Sequence, residues 1–117
     1  MNLREISEQL SLEVCAAEEK LDTEVTGGYA SDLLSYVMAR AKEGNVWVTM
    51  QSHINVVAVA SLVNLAGVII TEGTRPELAT LEKANQEGIP ILATRLTTYD
   101  VAGKLYELGV GNEGLTE

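Results

Sequence analysis

The chain has no phenylalanine and only one tryptophan, one cysteine, one histidine and two prolines in 117 residues. Without phenylalanine the core has to be built mainly from Val, Leu, Ile and Ala, a mixture that suits buried parallel strands covered by helices. One thiolate forms no intrachain disulfide and supports neither a zinc site nor a cysteine-ligated cluster. Cys15 sits in Leu12-Glu13-Val14-Cys15-Ala16-Ala17 and reads as a buried structural thiol rather than a reactive one. Basic charge is also scarce: 8 bases face 17 acids, a net charge of −9. Nucleic-acid affinity comes largely from Lys and Arg displacing counterions, so nucleic acid is not an expected partner. Long apolar runs are missing too. The longest, Val56 to Val63 around Ser61, falls far short of a bilayer, and MNLREISEQL lacks the unbroken apolar stretch of a secretion signal. The expectation is a cytoplasmic protein with no membrane partner.

What is present is a globular composition, 46% hydrophobic and 21% charged. A chain of this length removes roughly 65% of its unfolded surface from water, enough for one ordinary domain. A single domain over residues 1–117 is expected, with a core at about residues 12–110 and a frayed tail at 111–117. Asn2 can cap a short helix in which Leu3, Ile6 and Leu10 recur at helical spacing, and residues 12–16 alternate like a first strand. From Ser31 to Lys42 the set Leu33, Leu34, Val37, Met38 and Ala41 follows the i, i+3, i+4 rule, with Gly44 as a stop.

Three strand–loop–helix units follow. The first is Asn45 to Met50, then Gln51-Ser52-His53, then an apolar helix from Asn55 to Leu65. The second is Gly67 to Thr71, then Glu72-Gly73-Thr74-Arg75-Pro76, then a helix containing Leu78, Leu81 and Ala84 that Gly88 stops. The third is Ile89 to Thr94, then Arg95-Leu96-Thr97-Thr98, then a helix from Tyr99 to Leu108. Strands of nearly continuous Val, Ile and Leu in this order predict an α/β fold with a mainly parallel sheet and helices on both faces.

In such sheets ligands bind outside the carboxyl ends of the strands. The residues predicted there are polar or small: Thr49, His53 and Asn55 in the first unit, Thr71 and Arg75 in the second, Thr94 and Thr98 in the third. Thr26, Gly27 and Ser31, in Val25-Thr26-Gly27-Gly28-Tyr29-Ala30-Ser31, also precede a helix and can join the same rim. Gly27-Gly28 reads as a tight turn with positive φ, and Ser31 or Asp32 as an N-cap. Unpaired N–H groups at helix starts, with Ser and Thr hydroxyls, suit a phosphate or carboxylate; the same residues also serve as helix caps with no ligand at all. Arg75 and Arg95 each follow a strand end and can form a bidentate pair with an anion, or stand as solvated loop charges. A protein-binding edge is the third reading.

Catalysis has little support. His53 is the only histidine and reads as an anion contact, or as a structural group bonded to Asn55 or to a loop carbonyl, ahead of a general base. No nucleophile–base pair, Gly-x-Ser-x-Gly elbow or His-Glu-x-x-His helix is present, and TGGYASD lacks the lysine of a nucleotide-hydrolysing loop. The expectation is no enzyme, no catalytic residue, no metal and no cofactor.

The stretches TGGYASDLLSYVMARA, VWVTMQSHINVVAVASL and AGVIITEGTRPELATLEKANQEGIPILATRLTTYDVAGKLYELG together resemble the DRTGG domain family over about residues 12–110. Thr26-Gly27-Gly28 supplies the last three letters of that name, and Asp22 stands for the first, with Thr23 where Arg is expected. The family is similar to the amino-terminal, non-catalytic domain of HPr kinase/phosphorylase. The resemblance implies a three-layer α/β/α sandwich with a mainly parallel sheet of four to five strands. It also implies a regulatory or ligand-binding module that self-associates, so a homodimer is expected. The leading expectation is sensing of a small anionic metabolite or nucleotide at the strand-end rim, with a metabolic enzyme as partner. The alternatives are a structural protein-interaction module scaffolding a metabolic or redox enzyme complex, and a partner switch phosphorylated on Ser31 or Ser52, as in anti-sigma factor antagonists.

Overall fold

The structure, a computed structural model, describes residues 1–111. Asn2 opens α1 (Leu3–Gln9) with a full capping box: its side chain accepts from the Glu5 N–H, and the Glu5 side chain accepts from the Asn2 N–H. Leu3 and Ile6 are fully buried, so this short helix belongs to the core. The chain continues through β1 (Glu13–Ala16), a 3-10 turn (Glu18–Lys20), β2 (Gly27–Ala30), α2 (Leu34–Arg40) and β3 (Asn45–Thr49). Then come α3 (Asn55–Val63), β4 (Gly67–Ile70), α4 (Leu78–Glu87), β5 (Ile91–Ala93) and α5 (Thr98–Glu107).

The five strands form one sheet in the order β1-β5-β4-β3-β2. Strands β2 to β5 are parallel, and β1 pairs antiparallel with β5 at one edge. Alternation inside the unbroken apolar runs then sends side chains to two different layers. Val46, Val48, Ile69 and Leu92 pack with Leu3, Ile6, Val101 and Leu105, which places α1 and α5 on one face. Trp47, Val68, Ile70 and Ile91 pack with Val37, Val56, Val57 and Ala84, which places α2, α3 and α4 on the other. The predicted α/β sheet covered on both faces is therefore observed. Each Val, Leu or Ile side chain among these stabilises the fold by about 1.5–3 kcal/mol when fully buried.

One local expectation is overturned. Thr26-Gly27-Gly28 is the start of an edge strand, not a turn before a helix: Gly27 and Gly28 lie in β2 beside Asn45 and Val46, and neither has a positive φ. Only Gly27 is closely approached, where a Cβ would lie 3.1 Å from Asn45 Nδ2; the chain past α5 returns at ordinary contact distance, 3.6 Å from such a Cβ to the Gly111 Cα and 3.9 Å from one on Gly28 to Val110 Cγ1. Val110 is itself buried in the core, so the sequence past α5 contributes packing that its composition did not announce. The expected fraying concerns mostly residues 112–117, which lie outside the described residues.

Helix α2 starts at Leu34, three residues after the predicted Ser31 start, because the chain is still leaving the strand there. The Ser31 Oγ accepts from the Leu33 N–H at 3.1 Å, and its carbonyl accepts from the Trp47 indole N–H at 2.8 Å. The helix carries no side-chain N-cap bond, since Leu33 holds that position.

Candidate functional site

The parallel strands end at Ala30, Thr49, Ile70 and Ala93, and antiparallel β1 begins beside the last of these, with Glu13 opposite Ala93. After β4 the chain passes to the α2–α4 layer, and after β5 to the α1–α5 layer. Such a parting of neighbouring loops is where an open α/β sheet leaves a crevice. Here the two loops are tied across it. The Thr71 and Thr98 hydroxyls lie 2.7 Å apart, the Thr98 N–H donates to Glu72 Oε2 at 2.8 Å, and the Gly73 N–H donates to the Thr94 carbonyl at 3.0 Å.

The β2–β3 end of the rim is closed in the same way. Asp32 Oδ1 accepts from the Thr49 hydroxyl at 2.7 Å and from the Met50 N–H at 2.8 Å, while Gln51 Nε2 donates to the Asp32 carbonyl at 2.9 Å. Thr49 and Thr71 are fully buried, so their hydroxyls face the fold's own bonds rather than solvent. His53 lies exposed on the loop before α3, where Nδ1 accepts from the Asn55 N–H at 3.2 Å. The structural alternative for that pair is therefore observed.

The ten residues expected on one rim are not all brought together. Ser31, Thr49, His53, Asn55, Thr71, Thr94 and Thr98 lie at or next to the carboxyl ends. Thr26 and Gly27 lie at the opposite end, where the Thr26 hydroxyl donates to the Glu43 carbonyl at 2.8 Å and accepts from Asn45 Nδ2 at 3.3 Å. A turn would have led them to the rim; a strand carries them a full strand length away from it. Arg75 is at the rim but already holds a carboxylate, pairing bidentately with Glu13 at 2.8 and 3.0 Å. That guanidinium holds the Glu13 carboxyl below its usual range.

One part of the rim stays open. Between the end of α1, β5 and α5 lies a groove of about 640 Å³, bordered by Gln9, Ser11, Glu13, Thr94, Arg95 and Lys104. Glu13 is neutralised by Arg75, whereas neither Arg95 nor Lys104 forms an ion pair among the described residues. Two unpaired cations beside a hydroxyl, in a protein of net charge −9, form a local attraction for an anion that the overall charge does not reveal. Gln9, Ser11 and Lys104 were not among the sequence-predicted residues. Only the antiparallel pairing of β1 with β5 puts the end of α1 here, and no local motif marks that pairing.

Other chemistry is poorly provided for. Cys15 is half-buried, its thiol donates to the Glu13 carbonyl at 3.6 Å, and burial, aided by the Glu13 charge, pushes its pKa up. It is therefore held as the unreactive thiol. Among the described residues no group of three or more His, Cys, Asp or Glu is placed to hold a metal ion, and no helix is long and apolar enough to cross a membrane.

Sheet order, layers and strand-end rim define a three-layer α/β module. The chain belongs to the DRTGG domain family, whose model matches residues 5–108. No curated protein matches the chain in sequence. Among solved structures it is similar to the CBS and DRTGG domains of the regulatory region of Clostridium perfringens pyrophosphatase, determined with the activator diadenosine tetraphosphate. The TM-score is 0.71 at 17% identity, over 87% of this chain and 44% of that one. The likeness establishes the shared fold, and this chain spans less than half the length of that neighbour.

Proposed function

We propose that the chain is a non-catalytic regulatory module that senses a small anion in the groove at the end of β5. The observation that carries this reading is the Arg95–Lys104 pair, two cations without carboxylate partners among the described residues on the walls of one open groove. A guanidinium takes two phosphate or carboxylate oxygens at once and an ammonium adds a point charge, so together they suit a phosphorylated metabolite or the phosphates of a nucleotide. The pyrophosphatase regulatory region carries a nucleotide activator, which supports that class of ligand. Membership of the DRTGG family, with a solved neighbour that is part of an enzyme's regulatory region, supports a regulatory role. The reading includes a cytoplasmic homodimer that passes its ligand state to a metabolic enzyme.

A second reading rests on a different observation. Leu33, Met50, Leu78 and Tyr99 sit beside the strand-end loops and are all substantially exposed. Such a rim suits docking of a protein, as in the scaffolding alternative.

Calorimetric titration and thermal-shift measurements with pyrophosphate, ATP and AMP test the first reading. A bound anion at 100 times its Kd raises stability by about 2.7 kcal/mol, and Arg95→Gln with Lys104→Gln removes that rise. No shift with any of these anions, or an equal shift in the double variant, overturns the groove. Unchanged binding of a co-purified partner in the double variant, with no anion effect, favours scaffolding.

A further inference from the structure

The segment that joins β5 to α5 is held at alternate residues. The Thr94 carbonyl accepts from the Gly73 N–H at 3.0 Å, the Leu96 carbonyl accepts from the Glu72 N–H at 2.8 Å, and the Thr98 N–H donates to Glu72 Oε2 at 2.8 Å. Thr94, Leu96 and Thr98 are half-buried, whereas Arg95 and Thr97 between them are exposed. Thr97 turns to its own helix, accepting from the Asp100 N–H at 3.1 Å. Arg95 is left on the border of the groove, with the backbone pinned on both sides of it.

Glu72 makes two of these three bonds from a backbone that disfavours it. Its φ is +65°, in the left-handed region that residues with a side chain rarely enter, and Gly73 follows at +73°. Glycine would meet the turn at both positions without steric cost, yet position 72 keeps a carboxyl group. Capping does not account for it. Thr97 already holds the N-cap bond of α5, and the Thr98–Glu72 bond is exposed, where water could serve the Thr98 N–H. What the carboxylate adds is a second tie, so that main chain and side chain of one residue grip Leu96 and Thr98 together.

We propose that Glu72 is a positioning residue for the anion groove, holding the β5–α5 segment so that Arg95 meets an anion in a preset geometry. This role rests on the groove of the proposed function and assigns how its guanidinium is held. Preorganisation is the gain: an arginine on a slack loop loses backbone and side-chain freedom on binding, whereas one on a pinned segment loses mainly that of its side chain. Bidentate contact with an anion needs such fixed geometry more than a point charge does. The same loop carries Arg75, which holds Glu13 on the β1 border of the groove. Residues 72–75 therefore tie two borders of the groove together. Charge alone predicts the opposite effect, because a carboxylate bonded to this segment repels an incoming anion.

Titration calorimetry with pyrophosphate on the wild type, Glu72→Gly and Glu72→Gln separates the two. Glu72→Gly suits the left-handed backbone, so it should fold, but it removes the tie to Thr98. Its Kd for pyrophosphate should rise at least about tenfold, a loss of at least about 1.4 kcal/mol. Glu72→Gln keeps an acceptor for the Thr98 N–H without the charge and should bind at least as tightly as the wild type. In the unliganded Glu72→Gly variant the amides of Arg95 and Leu96 should exchange faster. Wild-type affinity in Glu72→Gly, tighter binding in both variants, or equal loss in both overturns the positioning role and leaves the groove standing. A wild-type chain that binds no pyrophosphate overturns the groove and the role together.

Discussion

At the β2–β3 end of the rim, Asp32 accepts from Thr49 and Met50 and its carbonyl holds Gln51; at the β5–β1 end, Arg95 and Lys104 face a groove with no ion-pair partner among the described residues. Both ends carry the polar residues that strand-end loops usually show. At one end the fold's own donors and acceptors satisfy one another, which fixes the loops and leaves little for a ligand. At the other, Arg75 neutralises Glu13 and two cations remain. Polarity in a βα loop therefore says less than whether its donors are already engaged.

The most severe way to break this contrast is charge reversal in the groove. Arg95→Glu with Lys104→Glu should weaken anion binding by at least about 100-fold, since each charge-assisted bond contributes about 1.5–3 kcal/mol. Titration calorimetry reads that loss, with the melting temperature of the unliganded chain nearly unchanged. Asp32→Ala should do the opposite, costing about 2–3 kcal/mol of stability by urea unfolding, because the fully buried Thr49 hydroxyl and the Met50 N–H lose their acceptor. Anion affinity in that variant should stay at the wild-type value. A large loss of binding there would mean that the two ends act as one site. Thr71→Val should cost about 1 kcal/mol, as the Thr98 hydroxyl loses its partner across the β4–β5 loops. Faster amide exchange of residues 94–98 would report the loosened crossing.

The smallest effect concerns Glu13 and its pH dependence. Its pKa is lowered first by the hydrogen bonds from Arg75 and then by that residue's charge. A depressed carboxylate contributes stability that is fully present above the unfolded value of about 4.3 and lost as pH falls through the lower folded value. Both partners are well exposed, so screening keeps the contribution small. Glu13→Gln should leave the thermal midpoint at pH 7 within error and flatten only the acid limb of the stability profile. At pH 7 it should loosen Arg75, which then becomes a third cation near the groove; tighter anion binding in this variant would show it.

Much of the fold was legible because burial and periodicity are local properties. The Asn2 cap, the Val37-centred helix and the strands Val46-Trp47-Val48 and Val68-Ile69-Ile70 could all be read in sequence, since each satisfies its own spacing rule. The Thr26-Gly27-Gly28 segment was misread because glycine permits a turn and also permits an extended strand, and only the pairing with Asn45 and Val46 of β3 decides between them. The rim was read in outline, yet most of its residues proved to be partners for one another. Nothing local tells Thr71 that Thr98 lies 2.7 Å away, or Arg75 that Glu13 is within reach. Lys104 and Ser11 were missed for the same reason, being 93 residues apart in the chain (104 − 11) yet on one groove.

The sequence by itself determined the order of helices and strands, the aliphatic core and the acidic surface, because these follow from the type and spacing of neighbouring residues. Tertiary structure alone decided which polar groups remain available. Pairing β1 antiparallel with β5 brings Glu13 to Arg75 and the end of α1 to Arg95 and Lys104. Sending α5 to the face opposite α2 and α3 keeps the open groove on the α1–α5 side of the sheet. Whether a charge is neutralised or left free depends on distances across the sheet, and those are set by strand order rather than by any stretch of sequence.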